Sequence, residues 1–290
     1  MSITKEEYFA YRKTASHRRE EIESLEKLFM DEIFSTLSQE ANDLYRDFTA
    51  QPFALRPFWI NYPPEQRGRA SSGEGVPWLE LGEKTISSHL LQRLSQRFAA
   101  ISFPGLPTGG DIRFALDDVL VHLDVKLTGP NDNHDEVVVP PNQVSGDGKG
   151  WRKGGVINSK HPVHFQQNPS KVNYRFQPKL PPFYVIDGKI LFCLTFFLKA
   201  IYEVNDFGVQ PLTYFELACV PNGFLMFESP TKYWNTPGLI IAGKDERNKS
   251  DETKRIRIRL DPLAGIANWR CKKLIHQSDG WNQAHRHPIK

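Results

Sequence analysis

Hydrophobic positions along the chain change period. Up to about residue 48, Ile22, Leu25, Leu28, Phe29, Ile33 and Leu37 recur at helical spacing among dense charges, which predicts helices with one apolar stripe. Ile86, Leu90, Leu94 and Phe98 mark a further amphipathic helix, and Glu83, an acid near its start, would offset the positive end of its dipole. The period then drops to two: Val119, Val121, Leu123 and Val125 fall on one face of a strand, and Leu120, His122, Asp124 and Lys126 on the other. Beyond Pro181 the pattern is strand-like, with 183–186 and 190–202 flanking Asp187-Gly188, and 214–220 and 224–227 flanking Pro221-Asn222-Gly223. Both pairs carry hairpin turn signals. Polar stretches rich in proline and glycine, 63–75 and 129–162, read as linkers, and Asn142, Gln143, Ser145 and Gly146 are expected in a loop without secondary structure. Helices early, strands late and no internal repeat argue for an α+β fold around a central sheet. The expected organisation is one domain over residues 1–290, with residues 1–50 a helical N-terminal extension.

The polar face of the alternating strand carries candidate chemistry. Same-face neighbours on a strand are roughly 7 Å apart, so Asp124 and Lys126 can both reach one phosphate and its attacking water. Asp111, at the end of Gly105-Leu106-Pro107-Thr108-Gly109-Gly110-Asp111, would arrive from a neighbouring segment. Two carboxylates suit a hard divalent cation such as magnesium, which stabilises charge on the phosphorus and lowers the pKa of water, while the lysine orients or helps deprotonate that water. The set reads as a nuclease centre; the plainer reading is a half-buried strand with a surface ion pair.

A second cationic pattern, Lys254-Arg255-Ile256-Arg257-Ile258-Arg259-Leu260, alternates arginines with apolar residues. Ile256, Ile258 and Leu260 would anchor in a core while Arg255 and Arg257 project outward, able to grip guanine O6 and N7 in a major groove. A charged edge strand guarded against aggregation is the alternative.

The 290 residues carry a net charge of +3, but residues 244–273 hold ten Lys or Arg against five Asp or Glu. That local excess of five positive charges fits a phosphate-docking region and binding that weakens with salt. The three cysteines, Cys193, Cys219 and Cys271, lie far apart, suggesting neither a zinc site nor a disulfide framework and fitting a reducing cytoplasm. His161 with His164, and His285 with His287, read as surface residues rather than ligands. The start lacks an apolar signal core, and the most hydrophobic run, 190–201, is too short to span a membrane.

Several ordered blocks resemble the BglI type of Type II restriction endonucleases, within the PD-(D/E)xK nuclease superfamily. They are Pro57 to Pro64, Pro77 to Lys84, Gly105 to Asp111, Asp124-Val125-Lys126 through Gly129-Pro130, Pro141 to Gly146, Val220 to Gly223, and Gly243 to Arg247 leading into Lys254 to Arg257. About the first fifty and last thirty residues are expected to lie outside the resemblance. It implies a restriction-endonuclease-like central mixed sheet flanked by helices, Asp111 and Asp124 as metal-binding carboxylates, Lys126 as the catalytic amine, and a supporting role for Glu83. It also implies that Lys244, Glu246, Arg255, Arg257 and Asp132 contact DNA, with 244–260 a DNA-reading strand region. The acids can accept from the amine of cytosine while the cations donate to guanine.

The chain departs from that pattern in places. The segment between Asp111 and Asp124 is short, which would trim a hairpin between the two strands, and Gly110 stands where the superfamily has proline. Glu246 replaces an aspartate, and Arg259 stands where the family has an acid, leaving it a phosphate contact at most. The implied function is a homodimeric, Mg2+-dependent enzyme, with Mn2+ able to substitute, cutting double-stranded DNA at GCCNNNNNGGC to leave 3′ overhangs and 5′-phosphates. A cognate methyltransferase in the same bacterial cytoplasm is implied as well. A structure-specific repair or recombination nuclease would share Asp111, Asp124 and Lys126 but have little use for the 244–257 set. A sequence-specific binding protein with a relic centre would gain nothing from acids that repel phosphate.

Overall fold

The computed structural model describes all residues except 1–2, 64–77, 100, 103–108, 117, 152–156, 159–162, 168–171, 204–210, 224–235, 237, 244–248, 251–252 and 287–290. Helix α1 is Lys5–Ser16, opened by a capping box in which Thr4 and Glu7 exchange side-chain and backbone hydrogen bonds. It is followed by α2 (Arg19–Trp59), α3 (Trp78–Phe98) and the short α4 (Leu260–Ile266). The strands are β1 (Ile101–Ser102), β2 (Ile112–Leu116), β3 (Val119–Thr128), β4 (Glu136–Val139), β5 (Gly150–Trp151), β6 (Ile157–Asn158), β7 (Val163–Gln167), β8 (Val172–Phe176), β9 (Phe183–Ile186), β10 (Lys189–Tyr202), β11 (Leu212–Val220), β12 (Ile240–Ala242), β13 (Ile256–Arg259), β14 (Cys271–Gln277) and β15 (Gly280–His285). No described helix is long and apolar enough to cross a membrane.

Eight strands form one sheet in the order β1-β2-β3-β10-β11-β14-β15, with β9 hairpinned onto β10. Only β3 and β10 run parallel, so the sheet is mixed, as expected. The β9–β10 turn places Asp187 (φ 50°) and Gly188 (φ 76°) in the left-handed region, the geometry of a two-residue hairpin that matches strand twist. The second predicted hairpin has its first strand in β11, whereas 224–227 lies outside the described residues.

Alternation on β3 holds. Val119, Val121, Leu123 and Val125 enter one core with Ile33, Leu37 and Phe48 of α2 and Ile86, Leu90 and Leu94 of α3. The N-terminal helices thus cover the main sheet. Leu28 departs from the predicted stripe: it is 51% exposed, and Met30, Phe34, Ala41 and Leu44 complete the buried face instead. An (i, i+3/i+4) path through Ile22, Phe29 and Ile33 turns Leu28 away from the sheet. Gly82 permits the close approach of α3, since a Cβ there would lie 2.4 Å from Leu127 Cδ1 and 2.7 Å from Phe48 Cε2.

A three-stranded sheet, β12-β13-β4, packs on the opposite face through Val137, Val139, Ile256 and Ile258 against Phe197 and Ala218. Phe197 is the register partner of Asp124, so the small sheet shares a face with the polar side of β3. Lys199, partner of Lys126, is buried there, and its ammonium donates to the carbonyls of Asn133 (3.2 Å), His134 (2.5 Å) and Glu136 (2.8 Å). Burial lowers its pKa to about 8. Two expected loops are therefore structured. Residues 136–139 form a strand, and Pro141–Gln143 a 3-10 turn whose successor Ser145 bridges to Leu180. Proline punctuation hid both.

Candidate active site

Asp124 sits at the middle of the sheet, on the parallel strand pair, and is 3% exposed. Its Oδ1 accepts a hydrogen bond from Gln143 Nε2, and its Oδ2 forms an ion pair with the Lys126 ammonium. Lys126 is the one β3 side chain that reaches partly into solvent. Asp111 arrives immediately before β2, whose Ile112 pairs with Leu123, and its Oδ2 accepts from the Val125 amide at 2.9 Å. The short 111–124 segment is an antiparallel β2–β3 hairpin that brings the two acids to adjacent points on one strand. Gly110 explains the missing proline in part: a Cβ there would lie 2.5 Å from the Leu123 carbonyl carbon and 2.7 Å from the Asp124 nitrogen. The loop must lie flush on β3.

Electrostatics agree with that convergence. Burial pushes the Asp124 carboxyl up to about 7; Lys126 opposes the rise, while Asp111 and Glu83 add to it as neighbouring negative charges. Glu83 belongs to the group spatially, but its helical position differs from expectation. Because α3 begins at Trp78, Glu83 stands in the second turn rather than at the start of the helix, past the end where the dipole acts most strongly. His122, on the same face of β3, is 1% exposed, and neither ring nitrogen has a hydrogen-bond partner among the described residues. Burial, with Arg113 nearby, lowers its pKa to about 3, so it packs as a neutral ring beneath Gly109. Among the described residues no group of three or more His, Cys, Asp or Glu is spaced to hold a metal by protein ligands alone.

The predicted reading strand is shorter than its alternation suggests. β13 ends at Arg259 and Leu260 begins α4, so Lys254 and Arg255 precede the strand. Ile256, Ile258 and Leu260 are buried, as expected of anchors. Arg257 lies on a middle strand rather than an edge: its Nη1 donates to Glu136 Oε1 (2.9 Å) and its Nε to the Ala242 carbonyl (2.8 Å), leaving the side chain 15% exposed. Arg259 is exposed. Asp132 is exposed in a turn where its Oδ2 accepts from the Gly129 amide at 3.0 Å. Lys244 and Glu246 lie outside the described residues. The resemblance over Pro141 to Gly146 suggests DNA-facing or active-site support for that block, but no sequence signal singles out Gln143 within it.

A mixed central sheet flanked by helices, with an Asp-x-Lys strand in its middle, is the architecture of restriction-endonuclease-like proteins, and that is the class of this molecule. The chain belongs to the BglI restriction endonuclease family, whose model matches residues 4–274. The match therefore takes in the N-terminal helices and runs to residue 274, beyond the bounds expected from the sequence blocks. Type II restriction enzyme BglI of Bacillus subtilis is 34% identical, over 84% of this chain and 87% of the relative. The crystal structure of BglI bound to its DNA recognition sequence has a TM-score of 0.79 at 31% identity, covering 93% of this chain and 95% of that one. Tetrameric SfiI bound to cognate DNA shares the fold at a TM-score of 0.61 and 13% identity, with the same coverage. The protein is a Type II restriction endonuclease.

Proposed function

We propose that this enzyme acts as a homodimer on double-stranded DNA at an interrupted G·C-rich palindrome, GCCNNNNNGGC, and hydrolyses one strand per subunit with Mg2+. The observation that carries the proposal is the buried Asp124 carboxylate with Asp111 at its side. Among the described residues Asp124 Oδ2 meets only the Lys126 ammonium, and the other charges acting on the carboxyl, those of Asp111 and Glu83, are negative. Two carboxylates fit Mg2+, which keeps several waters and completes its shell with phosphate oxygens.

When bound, the ion offsets the charge that develops on phosphorus and favours ionisation of the attacking water. Asp111 and Asp124 would hold it, and Glu83 would add negative charge from α3. Lys126 Nζ, tethered by Asp124 yet partly open to solvent, would orient the water. Water oxygen bonds to phosphorus, the P–O3′ bond breaks, the 3′ oxygen takes up a proton, and a 5′-phosphate remains. Two-fold symmetry of the dimer would match the palindrome, and the separation of its two centres would set the cuts as 3′ overhangs. Base reading falls to Arg255, Arg257, Lys244, Glu246 and Asp132, and Glu136 would aim the Arg257 guanidinium. A methyltransferase protecting the same site is the implied companion.

The test incubates the enzyme with DNA of known sequence, with Mg2+ or chelator, and maps the ends. Discrete fragments cut within GCCNNNNNGGC, only with the ion, are expected; a different string of cut sites rejects the specificity. Lys126→Ala should slow cleavage about 10²–10⁴-fold, the usual range for a positioned proton-transfer group. Duplex binding should persist.

A further inference from the structure

Gln143 is absent from every role assigned so far, yet it touches the centre of the site. It is 8% exposed, its Nε2 donates to Asp124 Oδ1, and its Oε1 is buried without a partner among the described residues. The 3-10 turn that carries it also grips the other acid-bearing segment, because the Asn142 carbonyl accepts from the Gly109 amide at 2.9 Å. The turn is itself anchored. The Lys179 amide donates to the Pro141 carbonyl (2.8 Å), that of Leu180 to Val144 (3.2 Å) and that of Gly146 to Leu180 (3.0 Å). One short element thus contacts the Asp124 side chain and the backbone two residues ahead of Asp111.

We propose that Gln143 is a positioning residue of the cleavage site, pinning Asp124 through Oδ1 so that Oδ2 is the oxygen offered to the divalent cation. An aspartate carboxyl turns broadly about its terminal torsion, so a fixed donor on one oxygen decides which oxygen faces outward. A neutral amide does this without adding charge, and its donation favours the ionised carboxylate that an ion needs. Groups that orient a metal ligand in this way are typically worth about 10–100-fold in ion affinity or activity. The inference deepens the cleavage-site reading and rests on it.

The test uses the full chain and two readouts: direct binding of Mn2+, followed without turnover, and cleavage rate against Mg2+ concentration. Gln143→Met keeps the shape and removes the donor. Its ion half-saturation should rise about 10–100-fold in both assays, with the rate at saturating Mg2+ largely recovered and duplex binding in chelator unchanged. If Gln143→Met does not fold, Gln143→Asn, which withdraws the amide by one methylene, should show the same shift. Unaltered Mn2+ binding in a folded variant, or a rate loss that excess ion does not recover, overturns the proposal. Asp124→Asn separates the two readings: Mn2+ binding and cleavage lost in that control, with Gln143 variants behaving as wild type, refutes the role of Gln143 alone. Both retained in Asp124→Asn refutes the site.

Discussion

Asp124 carries a proton more firmly folded than unfolded, and stability must reflect it. Its carboxyl rises from an ordinary 3.8 to about 7 on burial, so the folded chain binds the extra proton between those values. The stability this gives is full below the ordinary value and is lost as pH climbs through 7. Asp124→Asn, which cannot ionise, should therefore raise the thermal midpoint of the ion-free protein at pH 8 by several degrees and change it little at pH 4. An equal effect at both pH values would mean the carboxyl is not held protonated. The pairing of Asp124 with Lys126 was legible because strand alternation assigns them a common face. Gln143 was not, since an amide in a proline-flanked turn has no period to betray its direction, and its partner is nineteen residues away.

Elements differ in how plainly they announce themselves. The stripes of α2 and α3 and the alternation of β3 follow from burying one face, and they were readable. β4 was not, because Val137, Val138 and Val139 stand between Gly129-Pro130 and Pro140-Pro141, which read as a linker. It becomes a strand by pairing with β13, more than a hundred residues on, a contact that local pattern cannot encode. The seat of Asp111 on β3 depends on the same kind of distant fit. Gly110→Ala would drive a methyl group into the Leu123 carbonyl, and overpacking of this sort costs about 1–3 kcal/mol. The variant should melt earlier and lose cleavage well beyond the loss of folded fraction, as measured by turnover normalised to native protein.

Across the whole molecule, long-range ion pairs fasten helices and sheets together. Glu26 of α2 and Arg270, each 1% exposed at the side chain, meet at 2.8 Å, and Glu26 also accepts from the Asn222 amide at the end of β11. Arg270→Met leaves the acid buried with one fewer partner, so denaturant unfolding should show a loss of about 3–5 kcal/mol. Arg286 near the C-terminal end joins Glu216, Asp135 and Asp261 in the same manner. On the proposed DNA-reading strand, Arg257→Ala should reduce discrimination against a wrong base by about 1–3 kcal/mol, read as the ratio of cognate to altered-site binding. A uniform weakening on every sequence would make it a phosphate contact instead.

The strand pairing of β4 has a practical corollary. β13, with Arg257, hydrogen-bonds to β4, the strand that follows β3 in the chain, and Glu136 of that strand clasps the arginine. Transplanting residues 240–260 from a relative of different specificity would import two strands of a three-strand platform and leave the third behind. Retargeting this scaffold calls for exchanging 132–139 in the same stroke, within reach of the residues proposed to make the cut.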